Sequence, residues 1–131
     1  MQRKVINPWT WQDQYGFVQA LEVSEAQRVL YCAGQTSIGD DGAPVYAGDM
    51  RAQLGQALDN LETVLRQAGF ALGDVVRLNF YTTDVDQLFG AYKVAATRLA
   101  TAGCRPSMTW LGVSRLAFPE LMIEIEATAV R

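Results

Sequence analysis

Between residues 49 and 68 the apolar positions Leu54, Ala57, Leu58, Leu61, Val64 and Leu65 recur at steps of three and four, which predicts an amphipathic helix. Gly69 stands where a helix-terminating glycine belongs. A second stripe, Leu88, Tyr92, Ala95 and Leu99, predicts another helix. It starts at Asp84, where Gln87 three residues on completes the sequence form of a capping box, and it ends near Gly103. Elsewhere the period shortens to two. Residues 14–23 and 28–36 have the length and composition of strands, with 24–27 as a hairpin connection between them, and 38–44 (IGDDGAP) is a turn-rich loop. In 75–82, Val76, Leu78 and Phe80 point one way and Val75, Arg77, Asn79 and Tyr81 the other. Strands at 108–113 and 121–130 finish the chain.

The order is therefore two or three strands, helix, strand, helix and two strands, an α/β (α+β) domain over 1–131 in which two helices cover one face of a mixed sheet. In the last strand Ile123, Ile125, Ala127 and Ala129 suit the helices, which leaves Met122, Glu124, Glu126 and Thr128 on the other face. Met108, Trp110 and Gly112 share one side of their strand, and Thr109, Leu111 and Val113 share the other. A second face that mixes large apolar with polar side chains implies a cover, and association of subunits through the sheet is the economical one.

Composition narrows the functions. Half of the 131 residues are hydrophobic and 19% are charged, the composition of a folded chain. A net charge of −3 and a pI near 4.8 argue against a nucleic-acid backbone as partner, which calls for clustered Lys and Arg. No apolar run is long enough for a membrane span and no export signal is visible at the start, so a cytoplasmic location is expected. The two cysteines, Cys32 and Cys104, have neither metal nor redox spacing and are expected as free thiols in or near the core rather than as a disulfide. There is no histidine. Mechanisms built on Ser-His-Asp, Cys-His or a His-ligated metal are thereby excluded, and no glycine motif marks a nucleotide phosphate site, so neither metal nor cofactor is expected.

Residues 31–86, YCAGQTSIGDDGAPVYAGDMRAQLGQALDNLETVLRQAGFALGDVVRLNFYTTDVD, resemble the RidA (YjgF) family. The likeness lies in a strand ending in AGQ, an acidic-Gly turn, GD, Gln and Asn-Leu on the first helix, then AG and DVV. IEIEATAV (123–130) is similar to the family's terminal strand, and RPSMTWLGV (105–113) falls where its RPARS-type segment belongs. The resemblance implies a chorismate-mutase-like homotrimer with a small-molecule cleft between subunits. It also implies hydrolysis of reactive enamines and imines to a keto acid and ammonia, with an Arg clamping the substrate carboxylate, a Tyr shaping the pocket and a Glu positioning water.

Carried over residue by residue, Glu124 matches the water-positioning Glu and Gly34 the glycine of the pocket loop. Met108 stands where the clamping Arg belongs, Phe17 replaces the Tyr, Val18 the Ser of the family's GPYSQA, and Trp110 fills the remaining pocket position. A thioether offers weak acceptance and dispersion where a guanidinium offers charge and several donors. Two functional readings follow. One is a pocket protein for a weakly charged small molecule, hydrolysis centring on Glu124. The other is an active deaminase whose carboxylate anchor has moved, to Arg105 or to a neighbouring subunit's Arg. An inert trimeric scaffold is the third possibility, in which Phe17, Met108 and Trp110 are interface packing and Glu124 an ion-pair partner, for instance of Arg77. The ribonuclease activity historically attached to the family finds no support in an acidic chain without histidine.

Overall fold

The computed structural model describes all 131 residues. Six strands and three helices follow in the order β1 (Gln2–Ile6), β2 (Ala20–Ser24), β3 (Val29–Thr36), α1 (Met50–Gln67), β4 (Val75–Thr82), α2 (Val85–Ala91), α3 (Lys93–Thr101), β5 (Ser107–Gly112) and β6 (Ile123–Val130). The main sheet has the order β3-β6-β4-β5. β6 runs antiparallel to both neighbours, while β4 and β5 are parallel and joined through α2 and α3, a crossover that lays those helices on one face. α1 packs across β3 and β6 on the same face and beside α2 and α3.

The expected first helix is present with both of its ends. The Asp49 carboxylate accepts from the Ala52 N–H at 3.0 Å. At the other end Gly69 adopts φ +78°, so that the Gly69 N–H reaches the Arg66 carbonyl and the Phe70 N–H the Leu65 carbonyl, a Schellman closure. Leu54, Leu58, Leu61 and Leu65 are fully buried beneath α1. Each such side chain contributes roughly 1.5–3 kcal/mol on leaving water. Gln53 is buried with them and ties distant segments together: its amide donates to the Tyr46 and Glu120 carbonyls and accepts from the Met122 N–H. Asn60 likewise donates to the carbonyls of Thr36 and Ile38.

Several expectations change. Residues 11–15 form a 3-10 turn that Gly16 closes at φ +77°, so the strand expected from residue 14 begins only at Ala20. β2 pairs with β1, not β3, and forms a separate two-stranded ribbon. The expected 24–27 hairpin therefore joins strands of different sheets. The second helix is divided at Tyr92, which keeps helical dihedrals while its N–H reaches back three residues to the Phe89 carbonyl at 3.5 Å, giving three helices rather than two. A register shift between Val75 and Arg77 turns Val75 into the core and leaves Val76 partly exposed, the reverse of simple alternation. Cys32 and Cys104 are free and buried, as expected.

Candidate functional site

The first candidate site grows out of the turn that displaced the expected strand. Gln12 is fully buried under it, donating to the Trp9 carbonyl at 2.7 Å and accepting from the Gln19 side chain at 3.1 Å. With Gln12 fixed inward, Trp11 and Tyr15 face outward on the same turn, and Gly16 sends the chain on to Phe17. Phe89 and Tyr92 approach from α2 and its end, Met108 and Trp110 from the edge strand β5. These seven side chains enclose a cavity of about 330 Å³, and every one is hydrophobic.

β5 supplies the floor because its register with β4 sets Met108 beside Leu78 and Trp110 beside Phe80, on the helix-covered side. Trp110 lies 4.8 Å from both the Phe89 and Tyr92 ring centroids and 5.9 Å from that of the core residue Phe80. The Tyr92 hydroxyl donates to the Tyr15 carbonyl at 2.8 Å and lies 3.6 Å from the Met108 sulphur, and the Trp110 indole N–H points at the same sulphur at 3.3 Å. Burial, with a smaller contribution from Cys104, pushes Tyr92 up to about 12, so it is a neutral hydroxyl at any physiological pH. Phe17, Met108 and Trp110, grouped from the sequence, thus do share one wall. Trp11, Tyr15, Phe89 and Tyr92 were not singled out as pocket residues. The signal was the density of aromatics in NPWTWQDQYGF (7–17), together with Tyr92 in the apolar stripe of the second helix.

Glu124 and Gly34 lie elsewhere. Glu124 pairs with Tyr81 across β4 and alternates with the buried Ile123 and Ile125, which puts it on the face away from the helices. There it lies against Gly34: a Cβ at that position would stand 2.1 Å from Glu124 Oε1 and 2.8 Å from its Cγ. Glu124 has no ion-pair partner, and Arg77 instead donates to Thr109 at 2.9 Å. Within one chain the sheet therefore separates the Met108 cluster from the Glu124 cluster.

Beside Glu124 is a polar group to which the family resemblance gives no role. Glu126 accepts from the Asn79 amide at 2.9 Å and from the Tyr81 hydroxyl. Those two hydrogen bonds, Tyr81 first, hold its carboxyl below the usual range, and the bond to Glu126, with burial second, raises Tyr81. Asn79 Oδ1 is buried without a partner. Arg105 is in neither cluster; it pairs with Asp13 at 3.0 Å, both side chains about half exposed. Cys104 is sealed under the helix exit, its thiol pushed up to about 12, chiefly by burial. No helix is long and apolar enough to cross a membrane, and no three His, Cys, Asp or Glu side chains cluster as metal ligands.

Residues 12–131 match the family model described as Endoribonuclease L-PSP. A RutC family protein from Pyrococcus horikoshii is 31% identical over 107 residues, covering 82% of this chain and 82% of its own. The 2-iminobutanoate/2-iminopropanoate deaminase of Escherichia coli is 28% identical over 117 residues, 88% of this chain and 87% of its own. A solved structure of a Rid-family protein of unknown function from Yersinia pestis matches with a TM-score of 0.86 and 40% identity over the whole of both chains.

Proposed function

The chain belongs to the YjgF/RidA family, and from that premise we propose that it is a small-molecule-binding member whose ligand is not held by a carboxylate clamp. One observation carries this reading: Met108, which the resemblance sets at the family's clamping Arg, lies in a cavity whose seven lining side chains include no cation. An ionised carboxylate placed there would lose its hydration without gaining a counter-charge, and the Tyr92 and Trp110 donors are already turned toward Tyr15 and Met108. Small 2-imino acids fit such a wall poorly.

In this reading the protein acts as a homotrimer associated through the open face of the sheet. The large side chains exposed there support it: Tyr31, opposite Thr128, is 80% exposed, and Leu111, opposite Tyr81, is 50% exposed. An inter-subunit cleft is also the arrangement in which Met108 and Glu124 can serve one ligand, since in a single chain they are on opposite faces. Hydrolysis of an imine-type ligand would then use a water positioned by Glu124 of a second copy. The relative named as a deaminase favours a second reading, an active imino-acid deaminase anchored by Arg105, whose exposed pair with Asp13 is of the kind that exchanges at little cost.

Ammonia release from 2-iminopropanoate separates the two. The first reading expects little acceleration by the wild type and a gain in Met108→Arg. Strong wild-type turnover that Arg105→Ala abolishes would establish the second.

A further inference from the structure

Six of the seven side chains around the cavity are aromatic, and their planes are inclined rather than stacked. Trp11 meets Phe17 at 72°, Phe89 meets Trp110 at 54° and Tyr92 meets Trp110 at 67°. A flat ligand gains most between parallel faces, and rings inclined to one another in this way offer it no such slot. The two inner donors are engaged, the Tyr92 hydroxyl proton by the Tyr15 carbonyl and the Trp110 N–H by the Met108 sulphur, while the Trp11 N–H and the Tyr15 hydroxyl belong to exposed side chains. A ligand rich in acceptors would find no free donor from these two groups. The inner wall offers aromatic π systems and a polarisable thioether, both of which attract a soft cation.

From this geometry we infer that the cavity takes a nitrogen cation fully sheathed in alkyl groups and carrying no carboxylate, a quaternary ammonium. The inference rests on the binding reading above and narrows its ligand class. An alkyl-sheathed cation has no strong hydrogen bonds to water to lose, so it can enter a site without polar partners, whereas a primary ammonium would have to abandon three. A net charge of −3 favours its approach over that of an anion.

Choline and its neutral isostere, with a tert-butyl group in place of the trimethylammonium, present the same shape with and without the charge. Titrated against the full-length protein by calorimetry and tryptophan fluorescence, choline should bind about tenfold or more tighter than the isostere. Phe89→Leu and Trp11→Leu alter side chains that are 57% and 55% exposed, where the fold is least at risk. Each removes an aromatic face from the wall and should cost choline more affinity than the isostere, so the preference shrinks; a preference that is unchanged in both variants overturns the cation inference. Equal or tighter binding of the isostere overturns the cation inference and leaves the carboxylate-free binding reading standing. Failure of both probes, with saturable binding of the analogous carboxylate, overturns both.

Discussion

Met108 and Glu124 occupy opposite faces of the same four-stranded sheet. The register fixes this: Met108 is beside Leu78 and Glu124 beside Tyr81, and Leu78 and Tyr81 point to opposite sides of β4. If both serve one ligand, they do so from different copies of the chain, so assembly through the open face precedes any chemistry that uses both.

Assembly should therefore be stable and separable from the fold. Light scattering coupled to size exclusion is expected to give about three times the 14.4 kDa chain mass. Leu111→Asp, which places a charge on an already exposed position of the open face, should yield a folded chain of single mass with its aromatic cavity intact. A wild type that runs as a monomer at micromolar concentration contradicts the shared cleft.

Gly34 is expected to be intolerant for a reason specific to Glu124. The added methyl of Gly34→Ala would overlap both the carboxylate and the Cγ of Glu124, so the whole side chain must swing away. Gly34 and Glu124 are both partly exposed, so the cost is expected at or below the low end, about 1 kcal/mol, of overpacking in a core. Glu124→Ala removes the obstacle, and the double variant should recover most of the loss in a denaturant melt. Additive losses would mean that Gly34 is needed for its backbone alone.

The Tyr81–Glu126 pair predicts a pH dependence with a definite sign. The fold holds the Glu126 carboxyl below its ordinary range, so its contribution to stability is present at neutral pH and is lost as pH falls through that depressed value. Tyr81 is raised, so its contribution is present below the ordinary tyrosine range and disappears as pH rises through the raised value. Tyr81→Phe should move the Glu126 titration, followed by carboxyl NMR, upward toward an ordinary glutamate. An unmoved titration would show that Asn79 alone sets it.

Local pattern was enough for the elements whose partners are strongly periodic. α1 and its Gly69 stop, and the alternation of Ile123, Ile125, Ala127 and Ala129 against Met122, Glu124, Glu126 and Thr128, all stand as read. β1 escaped because its five residues are all exposed and leave no apolar pattern, and with it went the true partner of β2. The residue-75 bulge is invisible because alternation assumes an unbroken ladder. Which side of the sheet Met108 and Trp110 face was equally out of reach: their strand fixes only that they agree with each other, and the choice between faces comes from pairing with β4, thirty residues away. The family likeness assigns Met108, Trp110, Gly34 and Glu124 their positions along the chain but carries no statement of which chain supplies which.

Matched titrations of 2-oxobutanoate and its methyl ester decide whether this cavity accepts only ligands without a carboxylate. Tryptophan fluorescence reports on Trp11 and Trp110 in the cavity wall, and each titration is run at low and high salt. The ester should bind at least about tenfold tighter than the acid, with little change on adding salt, because an unpaired carboxylate is penalised in an apolar wall. Met108→Arg should reverse the order. If the wild type binds the acid more tightly than the ester, and that affinity collapses with salt, a cation anchors the ligand after all and the account is wrong.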